Sequence, residues 1–366
     1  MERPEEAATA RADAETTESE SDLFRIMIDE EAEEVTEAKA EAETMESDYE
    51  AYQASLFRDD WIKVWSRSHG SFEDTTKIRS MRFTDEPAPI YYGADPTCTL
   101  QVFSVKVEGI RRGLQWPLDV FGIVAVRDSV DFNRNVIFSR TRDNCQTLTK
   151  EDRNLALEGP TRAVVWIDQM YIEVKLTVKG ATESEDKDLS FLVVPIVCGH
   201  GTYYSRQIHR YETSKLSTLR LTLGHIVRSV EATVFVRVRD GSSWPDGFRA
   251  QFAAFATGIR DRRKRAAAGV DHKKIVLLDP GSGQKVPASG EGEIMLSRRV
   301  VSVEATGKLR VCVKAPWEEG SEGVKNAVKG EVFFTPKEAG RSSGLLDAGF
   351  CKMEVTVAWS LVSCYG

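Results

Sequence analysis

What the chain lacks narrows it quickly. No apolar run approaches the roughly 18 residues that a membrane-spanning helix needs. The first fifty residues are acidic and hold no apolar stretch, so no signal peptide is expected either. Six cysteines are present, Cys98, Cys145, Cys198, Cys312, Cys351 and Cys364, and none forms a CxxC pair. That removes the usual zinc-ribbon and thioredoxin-like patterns. Several sit in apolar runs, where a free thiol acts as a small hydrophobe, and a reducing cytoplasmic or nuclear setting is expected. The five histidines, His69, His200, His209, His225 and His272, show neither HExxH nor HxH spacing. GxSxG, GxxxxGK[ST] and GxGxxG are all missing, and "GSGQK" (Gly281–Lys285) reads as a β-turn for want of the following Ser/Thr. No catalytic, cofactor-binding or metal-ligating residue is assigned from the sequence, and the reading leans away from an enzyme.

The net charge of −8 is a sum of two unlike parts. Residues 1–48 hold 18 Asp/Glu against Arg3, Arg11, Arg25 and Lys39, a balance of −14. The remainder carries 39 acids and 45 bases, or +6. A block of one sign reads as a solvated arm, disordered or helical, over residues 1–46. From Ser21 no Gly or Pro occurs until Gly70, and good helix formers dominate. Met45, Tyr49, Tyr52 and Leu56 fall at helical spacing. With Phe57, Trp61, Val64 and Trp65 they predict an amphipathic helix over 47–68 that docks on the body of the protein.

Residues 69–97 break that pattern. Gly70, Pro87, Pro89, Gly93 and Pro96 mark an extended connector. From Thr97 on, period-two alternation dominates: "TLQVFSVKVEGI" (Thr99–Ile110), "VFGIVAVRD" (Val120–Asp128), and runs at 136–140, 162–168, 171–179 and 189–197. Short strands with turn signals between them, and no alternation with amphipathic helices, indicate a mainly β chain built as antiparallel sandwich.

Two echoes point to an internal repeat. Thr99–Asp128 and Thr218–Asp240 both begin Thr-Leu and end Val-x-Val-Arg-Asp. Leu155–Gly180 and Glu293–Ala315 both place Arg-x-Val-Val before an alternating strand. Their shared order predicts a duplicated β-sandwich, with units at 98–215 and 216–366.

Arg260, Arg262, Arg263, Lys264 and Arg265, followed by Lys273 and Lys274, form the strongest basic cluster of the chain. A solvated hairpin tip explains such a run, and so does a contact to nucleic-acid phosphates, or a nuclear localisation signal. Asp128/Asp131 and Glu183/Glu185/Asp186/Asp188 offer hard oxygen ligands of the kind Ca²⁺ takes. Interleaved Arg127, Arg134, Lys179 and Lys187 oppose a divalent ion. Arg127, Asp128, Asp131, Arg134 and Asn135 read instead as a polar network pinning a turn.

The blocks "WPLDVFGIVAVRDSVDFNRNVIFSRTRDNCQTLT" (Trp116–Thr149), "LALEGPTRAVV" (Leu155–Val165) and "IEVKLTVKGATESEDKDLSFL" (Ile172–Leu192) resemble the grass-lineage domain of unknown function numbered 6598. "WSRSHGSFEDTTKIRSMRFTDEP" (Trp65–Pro87), "VEATVFVRV" and "GEIMLSRRVVSV" fit the same family, so the resemblance runs over about residues 61–366. Some relatives are associated with ribosome-inactivating N-glycosidase domains, which implies a stress or defence context. Such an enzyme needs Glu-Ala-x-x-Arg. Here Glu231-Ala232 has Phe235 where the Arg would stand, so that activity is not carried over.

The sequence therefore leads to a non-catalytic β-sandwich that binds a protein partner, with no cofactor and no membrane, and with its oligomeric state open. A carbohydrate-binding or hydrolytic module using sandwich-end loops is the first alternative. It would present open tryptophan faces among Trp116, Trp166, Trp244 and Trp317. A nucleic-acid-associated protein using residues 260–274 is the second.

Overall fold

The computed structural model describes residues 49–197, 203–239, 250–258, 269–280, 286–319 and 324–363. The acidic arm at 1–46, Arg260–Arg265, Gly281–Lys285, Cys198, Cys364, His200, Trp244 and the side chain of Trp317 lie outside them. The chain divides into a unit Met1–Ala51 and a unit Tyr52–Gly366, and all that follows concerns the second. Among the described residues no helix is long and apolar enough to cross a membrane.

Helix α1 covers residues 49–69 and is followed by turns through residue 96. The first strands are β1 (Thr97–Ile110), β2 (Leu118–Arg127), β3 (Asn135–Arg140), β4 (Gln146–Leu148) and β5 (Val164–Val165). They continue as β6 (Met170–Val178), β7 (Lys187–Ile196), β8 (Arg206–Thr213) and the 22-residue β9 (Ser217–Val238). After it come β10 (Gln251–Thr257), β11 (Ile275–Leu278), β12 (Val300–Glu304) and β13 (Lys308–Glu319). The last three are β14 (Val324–Phe334), β15 (Ala339–Asp347) and β16 (Lys352–Ser360). The chain is mainly β, and each of these strand pairs is antiparallel.

The pairings fall into two matching sets. In the first, β8-β9-β1-β5 form one layer and β3-β2-β6-β7 the other, with β4 added on β2. In the second, β15-β16-β9-β12 form one layer and β11-β10-β13-β14 the other. The strand order is the same in both. Each set closes on its own apolar cluster. One gathers Leu100, Val107, Val124, Ile172, Leu192 and Leu221 from both layers of the first set. The other gathers Val234, Phe252, Leu277, Val301, Val311 and Val355 from both layers of the second. Two facing sheets joined through one dry core are the sandwich solution to burying one face of each.

β9 belongs to both sets. Its first half pairs with β1 and β8, its second half with β12 and β16. Core-facing positions run Leu219, Leu221, Leu223 in the first half and Val230, Ala232, Val234, Val236 in the second. The register shifts between Thr97 and Thr99 opposite Val227–Arg228, and Arg228 sits at φ 44°. Ile226, ahead of that shift, already faces the second core together with Val230–Val236, so the change from odd to even core-facing positions falls between Leu223 and Ile226. β9 begins at Ser217, beside the boundary expected at 215/216, and the changeover between cores lies inside that strand.

The two echoes fare differently. Arg162-x-Val164-Val165 and Arg298-x-Val300-Val301 lie at β5 and β12, which hold matching places. The Val-x-Val-Arg-Asp echo joins the end of β2 to the end of β9, whose places do not match: β2 corresponds to β10.

Candidate functional site

Helix α1 is anchored by Phe57, Trp61 and Trp65, spaced four apart on one face. Trp61 is 3% exposed, and its Nε1 donates to the Phe132 carbonyl at 2.8 Å. Trp65 stacks on Phe132 with centroids 3.6 Å apart, and Phe57 tilts against Tyr171 at 4.5 Å. Tyr52, Leu56 and Val64 were expected in this stripe and are exposed instead. They lie round the helix from the 57/61/65 line, and the aromatic rings saturate the contact. The connector is also tied down. Phe72 lies under the Arg127 guanidinium at 4.1 Å, Phe83 N–H donates to Ser360 Oγ at 3.0 Å, and Thr84 Oγ1 to the Trp359 carbonyl at 2.9 Å.

The residues expected to pin a turn do so. Arg162 holds Asp128 bidentately at 2.7 and 2.8 Å and reaches Asp131 at 3.0 Å; Asp131 also accepts from Thr76 Oγ1. Burial works against the Arg162 charge, but Asp128 and then Asp131 outweigh it and raise its pKa. Arg127 and Arg134 share the buried carboxylate of Glu173. Asn135 donates to the Arg162 carbonyl at 2.9 Å. These acids are occupied by guanidinium groups. Asp186 is likewise held by Arg142 and by the Gly180 N–H, which keep its pKa below the usual carboxylate range. Among the described residues, no group of three His, Cys, Asp or Glu is placed to hold a metal ion.

Glu231 is buried beside a small third apolar cluster of Val130, Ala163, Val165 and Val362. One oxygen accepts the Met81 N–H and the other the Ala163 N–H, both at 2.7 Å. Burial pushes its carboxyl up, against those donors and Arg162. The crevice beside it holds only about 20 Å³, space for one water. It is a structural group and not a surface acid. Of the tryptophans a sugar could use, Trp166 is almost wholly buried and Trp116 is half-buried with Arg153 over its ring at 5.3 Å, while Trp244 and the Trp317 side chain lie outside the described residues.

One feature open to solvent is the outer face of β11-β10-β13-β14. Its inner side chains Phe252, Ala254, Leu309, Val311 and Val313 fill the second core. Alternation therefore turns Phe255, Thr257, Lys308, Arg310, Cys312 and Lys314 outward. The register lines up Phe255, Arg310 and Phe333 in one row across three strands. The Arg310 guanidinium lies 4.2 Å from the Phe255 ring centroid and is tethered by Glu331 at 3.3 Å. Phe333 is 57% exposed. Lys274, Lys308, Lys314 and Lys329 surround the row and are exposed. A depression of about 230 Å³ opens between Phe255, His272, Lys308, Arg310 and Phe333. Of the aromatics near the basic run, Phe252 is buried and Phe255 is presented. The row itself could not be read from the sequence, because register alone brings 255, 310 and 333 together.

Comparison with known proteins adds the following. No curated protein matches the chain. Among solved structures, human GIVD cytosolic phospholipase A2 aligns at 8% identity with a TM-score of 0.23, over 74% of this chain and 33% of that one. The chain thus spans a third of that protein's length, and a likeness at that level carries no argument. A model of a domain of unknown function, DUF6598, matches residues 99–357, from within β1 into β16. The preamble Trp65–Pro87 lies outside the match, while both sandwich sets lie within it, so the chain belongs to the DUF6598 family.

Proposed function

We propose that this protein is a non-catalytic binding module that holds single-stranded nucleic acid on the outer face of β11-β10-β13-β14. The observation that carries the reading is the Phe255–Arg310–Phe333 row with lysines around it. Bases have a π-face whatever their identity, and open sheets use exposed aromatic rings to stack them. Arg and Lys between the rings neutralise phosphates and make binding salt-dependent. In sequence, β10 is followed almost at once by Arg260, Arg262, Arg263, Lys264 and Arg265, which adds positive charge next to the same strand. The unbridged thiols of Cys145, Cys312 and Cys351 fit a reducing cytoplasmic or nuclear setting.

Fluorescence anisotropy of the full chain with labelled U-only and dT-only oligonucleotides tests this. Binding should weaken with salt, and Phe333→Ala should lower affinity by about 5- to 100-fold, the range of one lost stacking contact. If heparin binds as well as the oligonucleotides and Phe333→Ala changes neither, the face is a general polyanion surface and the proposal fails.

A further inference from the structure

A second opening lies in the first sandwich, between edge strands β7 and β8, far in sequence from the lysine-rich face. It encloses about 300 Å³, the lower end of the size range of small-molecule pockets. Trp166, Ile196, Val197 and Ile208 supply apolar walls, and Arg206 and Arg210 stand among them. Arg206, Ile208 and Arg210 alternate on β8, and the core-facing Leu223 pairs with Ile208. The two guanidinium groups therefore flank an apolar strip on one side of the strand. Arg210 is paired with Glu212 at 2.9 Å. Arg206 has no carboxylate partner among the described residues, and it is exposed.

Behind the Trp166 and Arg206 walls lies a buried polar group. His225 is 3% exposed and pairs across the ladder with Arg206. Its ring meets the Trp166 ring edge-on at 4.7 Å. Neither ring nitrogen has a hydrogen-bond partner, although buried polar atoms are nearly always satisfied. Burial, and then the charge of Arg206, hold its pKa down at about 4, so the ring is neutral at pH 7.

We infer that this opening binds a small apolar carboxylic acid, its chain on Trp166, Ile196, Val197 and Ile208 and its carboxylate on Arg206, next to the buried His225 ring. A cation beside an apolar wall selects an acid over a neutral molecule of the same body. The carboxylate would meet the Arg206 charge, which has no carboxylate partner among the described residues. An ammonium head would be repelled by both arginines.

The test uses the full chain, octanoate and 1-octanol in calorimetric titration, with the imidazole ¹⁵N signals of His225 as a second readout. Octanoate should bind at least tenfold more tightly than octanol and shift the His225 signals. Arg206→Gln, at an exposed position, should leave the melting temperature unchanged and reduce octanoate to the affinity of octanol. Phe333→Ala should not alter octanoate binding, which separates this site from the nucleic-acid face. Equal affinities for acid and alcohol would identify a plain hydrophobic groove and overturn the inference. So would an unaffected Arg206→Gln variant, or no heat at roughly 1 mM octanoate, the range of very weak binding.

Discussion

Glu231 accepts the backbone N–H of Met81 at 2.7 Å across 150 residues of sequence. Its second oxygen takes the N–H of Ala163 at the same distance, so one carboxylate ties the connector, the β5 segment and β9 together. Both donors are main-chain groups that cannot turn away. Glu231→Gln therefore places an NH₂ against an N–H on one side. The isosteric change should cost about 2–4 kcal/mol, a charged hydrogen bond lost plus an unsatisfied donor. Urea unfolding at pH 7 reads this directly; an unchanged midpoint would mean that these contacts contribute nothing.

Arg162 and Arg298 make a controlled pair. They hold matching places at β5 and β12, and both are nearly fully buried. Arg162 is neutralised by Asp128 and Asp131. Arg298 donates only to the Val102 carbonyl at 2.6 Å, its Nε has no partner, and burial pushes its pKa down to about 9. Removing one partner of a buried pair strands the other charge, whereas removing a lone buried charge relieves a desolvation cost. Arg162→Met should destabilise by about 3–5 kcal/mol. Arg298→Met should raise stability by about 1–3 kcal/mol, less what the Val102 carbonyl loses. Thermal melts of the two variants should move in opposite directions.

His225 gives the fold a pH dependence of defined sign. Its folded-state pKa, about 4, lies below the ordinary 6.5. The unfolded chain therefore binds the extra proton first as pH falls. The stability associated with the neutral ring is complete above pH 6.5 and is lost progressively as pH drops from 6.5 through 4. His225→Phe keeps a ring against Trp166 and removes this titration. The melting temperature of the variant minus that of the wild type should rise steadily from pH 7 through 6 and 5 to 4, because the variant declines less. Parallel curves would show that the ring does not titrate differently on folding.

Much of this fold was legible because buried strands impose period two on the side chains. The Arg-x-Val-Val echo falls on β5 and β12, which hold matching places, and the arginine before each valine pair is buried. The changeover inside β9 was not legible. "TLRLTLGHIVRSVEATVFVRV" reads as a single strand, and nothing local in it marks the passage of core-facing positions from Leu219, Leu221 and Leu223 to Ile226 and Val230–Val236. The same holds for the two surfaces. Arg206 acquires meaning only beside Trp166 and His225, and Phe333 only when register sets it beside Arg310. Long-range pairing is information that a local pattern does not contain.

The docking of helix α1 supplies the last test. Trp61 packs edge-on to Phe72 at 5.5 Å, receives the Arg127 guanidinium at 5.1 Å, and donates to the Phe132 carbonyl in the turn between β2 and β3. Its removal strips cover from Arg127, which in turn holds Glu173 on β6. Trp61→Ala should therefore destabilise by about 3–5 kcal/mol, as for other buried large-to-small changes. Trp61→Phe keeps a ring and loses one hydrogen bond, for about 1 kcal/mol. Hydrogen exchange locates the effect. In Trp61→Ala, amides of residues 52–69 should lose protection first and those around Phe132 next, while β13 and β16 in the second core stay protected. If exchange rose equally in both cores, the helix would be an integral part of one cooperative unit and not a clamp on the β2–β3 turn.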